Sequence, residues 1–293
     1  MFSESKESMC LVRAFTVMTC LVILAGPKAR ATSLPTSSST PTLGPTLLDH
    51  GYSDMYNLDF AQAHQEFATW MQAYPTDPMG PVSDAAAYLF TEFSRLGVLD
   101  VDLFDDDNNF ESRNKKSSDP ALKIAFDRDL DQANQLADAA LTVSPRDTRA
   151  LFVKALANGL HADYAQMIEN RDFAGLKYTK IASKYADRLL AIAPQDYDAY
   201  LAVGLENYIL GLKPAPIRWF LKLTGAQTNA VLGKKDMELT ASQGHYLAPF
   251  ARLLLAVAAL RDKDTTKARQ ILASLAQEFP NNPLYTQQLA KIH

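Results

Sequence analysis

Four prolines, Pro75, Pro145, Pro194 and Pro280, each close the same pattern of residues. Twelve positions before each stands an alanine: Ala63, Ala133, Ala182 and Ala268. Eight before stand Phe67, Ala137, Ala186 and Leu272, and five before stand Trp70, Ala140, Leu189 and Leu275. Intervals of four and three put all three positions on one face of an α-helix. The small residue admits a partner helix at close range, the larger ones fill the groove between ridges, and proline stops the helix because it lacks an N–H. A chain that repeats this pattern is constrained to helices packed on helices.

The partner helices carry small residues of their own. Gly51 lies twelve residues before Ala63, and Ala256, next to Leu255, lies twelve before Ala268. After Pro194 the stretch DYDAYLAVGLENYIL brings Tyr200, Val203 and Gly204; after Pro145 the stretch DTRALFVKALANGL brings Leu151 and Ala155. The pattern resembles the two helices of a tetratricopeptide hairpin. That resemblance implies an all-α fold of tetratricopeptide-like helical hairpins stacked as a right-handed solenoid, with an inserted short helix. Helices are expected at 47–56, 60–73, 81–96, 120–143, 147–162, 170–192, 196–211, 215–224, 234–243, 248–262, 264–279 and 283–292. The alanine anchors are 70, 49 and 86 residues apart, against a tetratricopeptide period of about 34. Degenerate hairpins or insertions therefore separate them. The segments MYNLDFAQAHQEF, GLKPAPIRWFLKLTG and KKDMELTASQGHYLAPFARLLLAV resemble a poorly characterised family of bacterial exported tetratricopeptide proteins, and more remotely eukaryotic ones tied to lipid-droplet and inclusion clearance. The resemblance implies a non-enzymatic role and names no ligand.

Only two cysteines occur, Cys10 and Cys20, both ahead of residue 31. Residues 14–26, AFTVMTCLVILAG, form an uncharged apolar run after Arg13 that is too short to span a bilayer. Ala29-Arg30-Ala31 supplies the small-x-small pattern that a signal peptidase cleaves. We therefore expect a signal peptide at 1–31, with Met1 or Met9 as the start, and an exported protein, periplasmic or extracellular, that does not span the membrane once cleaved. Residues 32–46, rich in Ser, Thr and Pro, read as a solvated linker, and 47–293 as the helical repeat domain. The exported chain would hold no thiol, which leaves no disulfide, cysteine nucleophile or cysteine-ligated metal. Its net charge moves from −4 to −6, because the leader carries four basic and two acidic residues. Without a basic stripe there is no electrostatic footprint for nucleic acid.

No constellation of catalytic residues stands out, and neither an enzyme nor a cofactor is expected. Residues 100–111, DVDLFDDDNNFE, begin like a calcium loop at Asp105, Asp107 and Asn109. The sixth position is Phe110 where glycine is needed, and the twelfth is Lys116 where glutamate is needed. A solvated acidic loop is the better reading. His50, His64, His161, His245 and His293 form no metal spacing. Lys154 and Asn158, four apart, are similar to a carboxylate clamp, but their register to Ala155 is wrong; Asn207 sits at the same place in its own hairpin.

The inner face is the informative surface, since tetratricopeptide arrays bind along their first helices. Projected from the small residues, the groove-facing set is Arg149, Phe152, Leu156, Leu201, Leu205 and Tyr208. This lining is apolar. The insertion PAPIRWFLKLT, 214–224, has Trp219, Phe220 and Leu223 in need of burial and is expected to plug the groove, because an open one invites aggregation. The expected function is a protein-binding scaffold of the cell envelope that holds a protein or peptide in the groove. The alternative is a carrier or assembly factor for apolar cargo, lipid or unfolded outer-membrane protein, which requires the groove open.

Overall fold

A computed structural model describes residues 45–98, 117–212 and 228–292, all within one unit spanning Leu43–His293. The expected signal peptide at 1–31, nearly all of the expected linker, the acidic run at 100–111 and the segment 214–224 lie outside these residues. The described chain is all-helical, without strands, and holds eleven α-helices. They are α1 (Leu47–Tyr56), α2 (Phe60–Ala73), α3 (Met79–Leu96), α4 (Pro120–Val143), α5 (Thr148–Asp163), α6 (Asp172–Leu190), α7 (Tyr200–Gly211), α8 (Ala230–Gln243), α9 (Ala248–Arg261), α10 (Thr265–Glu278) and α11 (Pro283–Lys291). A single π-turn, Tyr164–Ile168, extends α5, and a 3₁₀ turn, Tyr197–Ala199, leads into α7. Each helix packs against the next in sequence.

Local sequence explains the boundaries. Asp and Asn side chains accept from backbone N–H groups at the starts of α2, α4, α5, α8, α10 and α11, through Asp59, Asp119, Asp147, Asn229, Asp264 and Asn282. These are the donors a helix start otherwise leaves without partners. Thr46 and Asp49 cap α1 reciprocally: the Asp49 amide donates to Thr46 Oγ1 at 3.3 Å, and the Thr46 amide to Asp49 Oδ2 at 2.6 Å. The four patterned prolines lie two to four residues beyond the ends of α2, α4, α6 and α10.

Several helix starts differ from expectation: α6 begins at Asp172 against 170, and α7 at Tyr200 against 196, the residues ahead of it forming the 3₁₀ turn Tyr197–Ala199. Helix α3 begins at Met79, ahead of Pro81, because proline inside the first turn forfeits no helical hydrogen bond. Helix α8 begins at Ala230, a turn before the expected 234, since Asn229 caps it there.

The four anchor alanines are buried, at 0% to 2% exposure, and so are Phe67, Ala137, Ala186 and Leu272. Burying a side chain the size of Phe67 or Leu272 stabilises the fold by about 1.5–3 kcal/mol each. The small residues of the partner helices face them: a side chain on Gly51 would run into the Phe67 ring. Between α7 and α8 the approach is backbone to backbone. A Cβ on Gly233 would lie 2.5 Å from the Gly204 oxygen and from the Tyr208 nitrogen.

The chain also meets itself end to end. The Tyr56 hydroxyl donates to the Tyr246 carbonyl at 2.9 Å, Asn282 Nδ2 to the Tyr56 carbonyl at 2.9 Å, and the Asn281 amide to Asn57 Oδ1 at 3.2 Å. Tyr52 stacks on Tyr246 with ring centroids 4.8 Å apart, and Tyr56 meets Phe279 at 5.4 Å. Helix α1 is thereby fastened to the chain around α9, α10 and α11, and α3 follows it through Phe90 against Phe250 at 5.5 Å.

Candidate functional site: an apolar cavity inside the helices

This return of the chain places a cavity of about 600 Å³ within the unit. Helix α5 contributes Phe152, Ala155, Leu156, Gly159 and Leu160; α7 contributes Leu201, Leu205 and Tyr208; α9 contributes Phe250, Leu254 and Val257. Tyr52, Met55 and Tyr56 of α1 and Phe90 and Phe93 of α3 complete the wall. The lining is overwhelmingly apolar and the volume falls within the few hundred to about 1,000 Å³ of small-molecule sites.

Five of the six residues projected onto the groove, Phe152, Leu156, Leu201, Leu205 and Tyr208, share this cavity. The sixth does not. Arg149, in the first turn of α5, is 48% exposed and forms a two-pronged pair with Asp77, Nε to Oδ1 at 2.7 Å and Nη2 to Oδ2 at 2.6 Å. Its guanidinium lies 5.8 Å from the centre of the Trp70 ring. Lys154 and Asn158 have local partners: Lys154 Nζ pairs with Asp138 of α4 at 2.9 Å, and Asn158 Nδ2 donates within α5 to the Lys154 carbonyl at 2.7 Å. Asn207 Oδ1 accepts from the Asn229 amide at 3.4 Å.

A few polar groups interrupt the apolar wall. Asp198 accepts from the amides of Tyr246 and Leu247 at 2.8 and 3.1 Å, while burial raises its pKa. Thr179 donates to the Gly175 carbonyl at 3.0 Å, and the Gln166 side chain lies across Gly175. The Tyr208 hydroxyl is buried with no hydrogen-bond partner. Asp163 differs from Asp198: burial pushes its carboxyl up to about 7, and among the described residues no cation or donor opposes the shift. Its residual exposed surface faces the cavity.

Sequence reasoning missed Asp163 and the walls supplied by α1, α3 and α9. Signals existed for both. Asp163 breaks an apolar stripe that runs Phe152, Leu156, Leu160 at helical spacing. Helix α9, APFARLLLAVAALR, is apolar nearly all round, which marks a helix covered on more than one side.

No protein-family model, curated protein or solved structure matches the chain. Among the described residues no cluster of three or more His, Asp or Glu side chains could hold a metal ion. None of their helices is long and apolar enough to cross a membrane. The histidines have separate local roles. His64 Nδ1 is 2.5 Å from Asp84, His245 Nε2 is 2.6 Å from Asp49, and His161 stacks on Tyr178, where burial lowers its pKa.

Proposed function

We propose that this chain is a binding protein for apolar small molecules, built as a tetratricopeptide-like array of hairpins whose inner face surrounds its cargo. The observation that carries this reading is the cavity of about 600 Å³ walled by α1, α3, α5, α7 and α9. A groove that receives an extended peptide needs open ends and polar groups to meet the peptide backbone. This inner face offers chiefly side-chain carbon, and α1 is fastened to the far end of the chain by Tyr56 and Asn282. An apolar cavity of this size makes poor use of water, whose molecules need two to four polar partners each. Cargo carriage outside the cytoplasm also accommodates the leader-like segment at 1–31, with binding and release in place of catalysis.

The test is to purify the protein from its own source under native conditions and weigh it by native mass spectrometry before and after organic extraction. A bound mass released by extraction is the expected result. In parallel, a neutral apolar fluorophore is titrated into the extracted protein and into Leu156→Trp, which narrows the cavity between α5 and its neighbours. The native chain should bind the probe and the variant should bind it more weakly, at unchanged helicity. A native chain that carries no extractable mass and binds no probe overturns the proposal.

A further inference from the structure

The cavity-facing stripe of α5 runs through Phe152, Leu156 and Leu160 and arrives at Asp163, where the helix widens into its π-turn. The turn is made by the Glu169 amide donating to the Tyr164 carbonyl at 3.1 Å. Isolated π-turns are costly and recur at functional sites. A carboxyl group on an apolar wall is costly as well, unless a donor or a cation meets it. The other charged groups of the wall are Asp198 and Arg261. Asp198 is held by two backbone amides, and Arg261 has interactions of its own. Among the described residues Asp163 is therefore the charge of this wall that meets neither a cation nor a protein donor.

Resting on the apolar-cargo reading, we propose that the cavity takes a long-chain amine, its single cationic nitrogen paired with the Asp163 carboxylate and its hydrocarbon body lying between α5, α7 and α9. Charge complementarity selects the nitrogen. An anionic head would stand against a carboxylate in a setting that screens little. A neutral hydroxyl would bond to Asp163 but leave its charge unbalanced. An ammonium group supplies both hydrogen-bond donors and the missing positive charge, and a charge-assisted pair of this kind is among the stronger polar contacts a protein makes. The same pairing explains why the wall keeps an acid where a leucine would pack.

The inference is tested with the extracted full chain loaded with a neutral apolar fluorophore at pH 8. Hexadecylamine, hexadecan-1-ol and hexadecanoate are used as displacers, each kept below its aggregation concentration. The amine should displace the probe at a concentration about tenfold or more below the alcohol, the acid being weakest. Asp163→Asn should lose the preference of amine over alcohol, and Asp163→Glu should retain much of it. Equal displacement by amine and alcohol, or an amine preference that persists in Asp163→Asn, overturns this inference and leaves the apolar-cargo reading standing. Failure of the native chain to bind the probe at all overturns both.

Discussion

The hydroxyl of Tyr56 reaches the backbone carbonyl of Tyr246, 190 residues further along the chain, at 2.9 Å. Beside it the Tyr56 carbonyl accepts from Asn282, 226 residues away. One residue of α1 thus ties together the loop before α9 and the N-cap of α11. Neighbouring helices could pack pairwise without this contact, but Tyr56 also lines the cavity, so the tie between the two ends sits in its wall.

Asn282→Ala is expected to destabilise the protein by about 1–3 kcal/mol, because it strips a buried carbonyl of its donor and removes the side chain capping α11. Tyr56→Phe should cost about 1 kcal/mol. Urea denaturation checks both values. Pulsed proteolysis locates the effect, since weakening the clasp should expose α10 and α11 first. Variants with native midpoints and native cleavage patterns would show that the contact does not hold the ends together.

Helices α7 and α8 make a second prediction, on packing. Gly204→Leu and Gly233→Ala both force side-chain atoms into opposing backbone, where no rotamer offers an escape. Each should lower stability by about 1–3 kcal/mol or more. Gly159→Ala is the control: no heavy atom lies within 4 Å of its Cβ position, so the change should be neutral or stabilise the helix by up to ~1 kcal/mol. Thermal unfolding of the three variants decides the matter. Equal melting temperatures for Gly233→Ala and Gly159→Ala would contradict the close crossing.

Arg149 tests the division between surface and cavity. Its pair with Asp77 is half exposed, and pairs of that kind are worth at most about 1 kcal/mol. Asp77 keeps other donors in the Trp70 indole and the Met79 amide, at 2.9 and 3.1 Å. Arg149→Ala should therefore leave both probe binding and stability close to native. A loss of probe affinity on titration would place Arg149 in the site after all.

The helices were legible because their determinants are local. The alanine-apolar-proline pattern fixes α2, α4, α6 and α10, and the register of the small residues in the helices before or after them projected Phe152, Leu156, Leu201, Leu205 and Tyr208 onto one surface. The tie between the two ends was not legible. Tyr56 and Tyr246 belong to no shared period, so nothing in either segment announces the other. Leu58 and Lys263 likewise adopt positive φ, 65° and 63°, in matching turns before Asp59 and Asp264, where a sequence reader looks for Gly or Asn. Asp163 escaped because no motif includes it and only the apolar stripe ahead of it marks it. It lines the same wall as Leu160 and Met167.

Asp163 gives the last prediction its sign. Its folded pKa, about 7, stands above the ordinary 3.8 because burial disfavours the charged form. Between those values the folded chain keeps a proton the unfolded chain has lost. Stability associated with this group therefore falls as pH rises from about 4 to about 7, and is flat beyond. Asparagine has the same shape and no charge to desolvate. Asp163→Asn should match the native chain near pH 4 and exceed it at pH 8 by roughly 1–4 kcal/mol, the upper figure being the full pKa difference and the lower allowing for water in the cavity. Urea titrations of both proteins at the two pH values cancel the other acids that burial raises, Asp129, Asp196 and Asp198 among them, since both chains share them. A difference that does not grow with pH would mean that the carboxylate is already compensated. Growth with pH would show a charge that the folded chain holds at the expense of its own stability, and a saturating long-chain amine should then narrow the gap by stabilising the native chain alone.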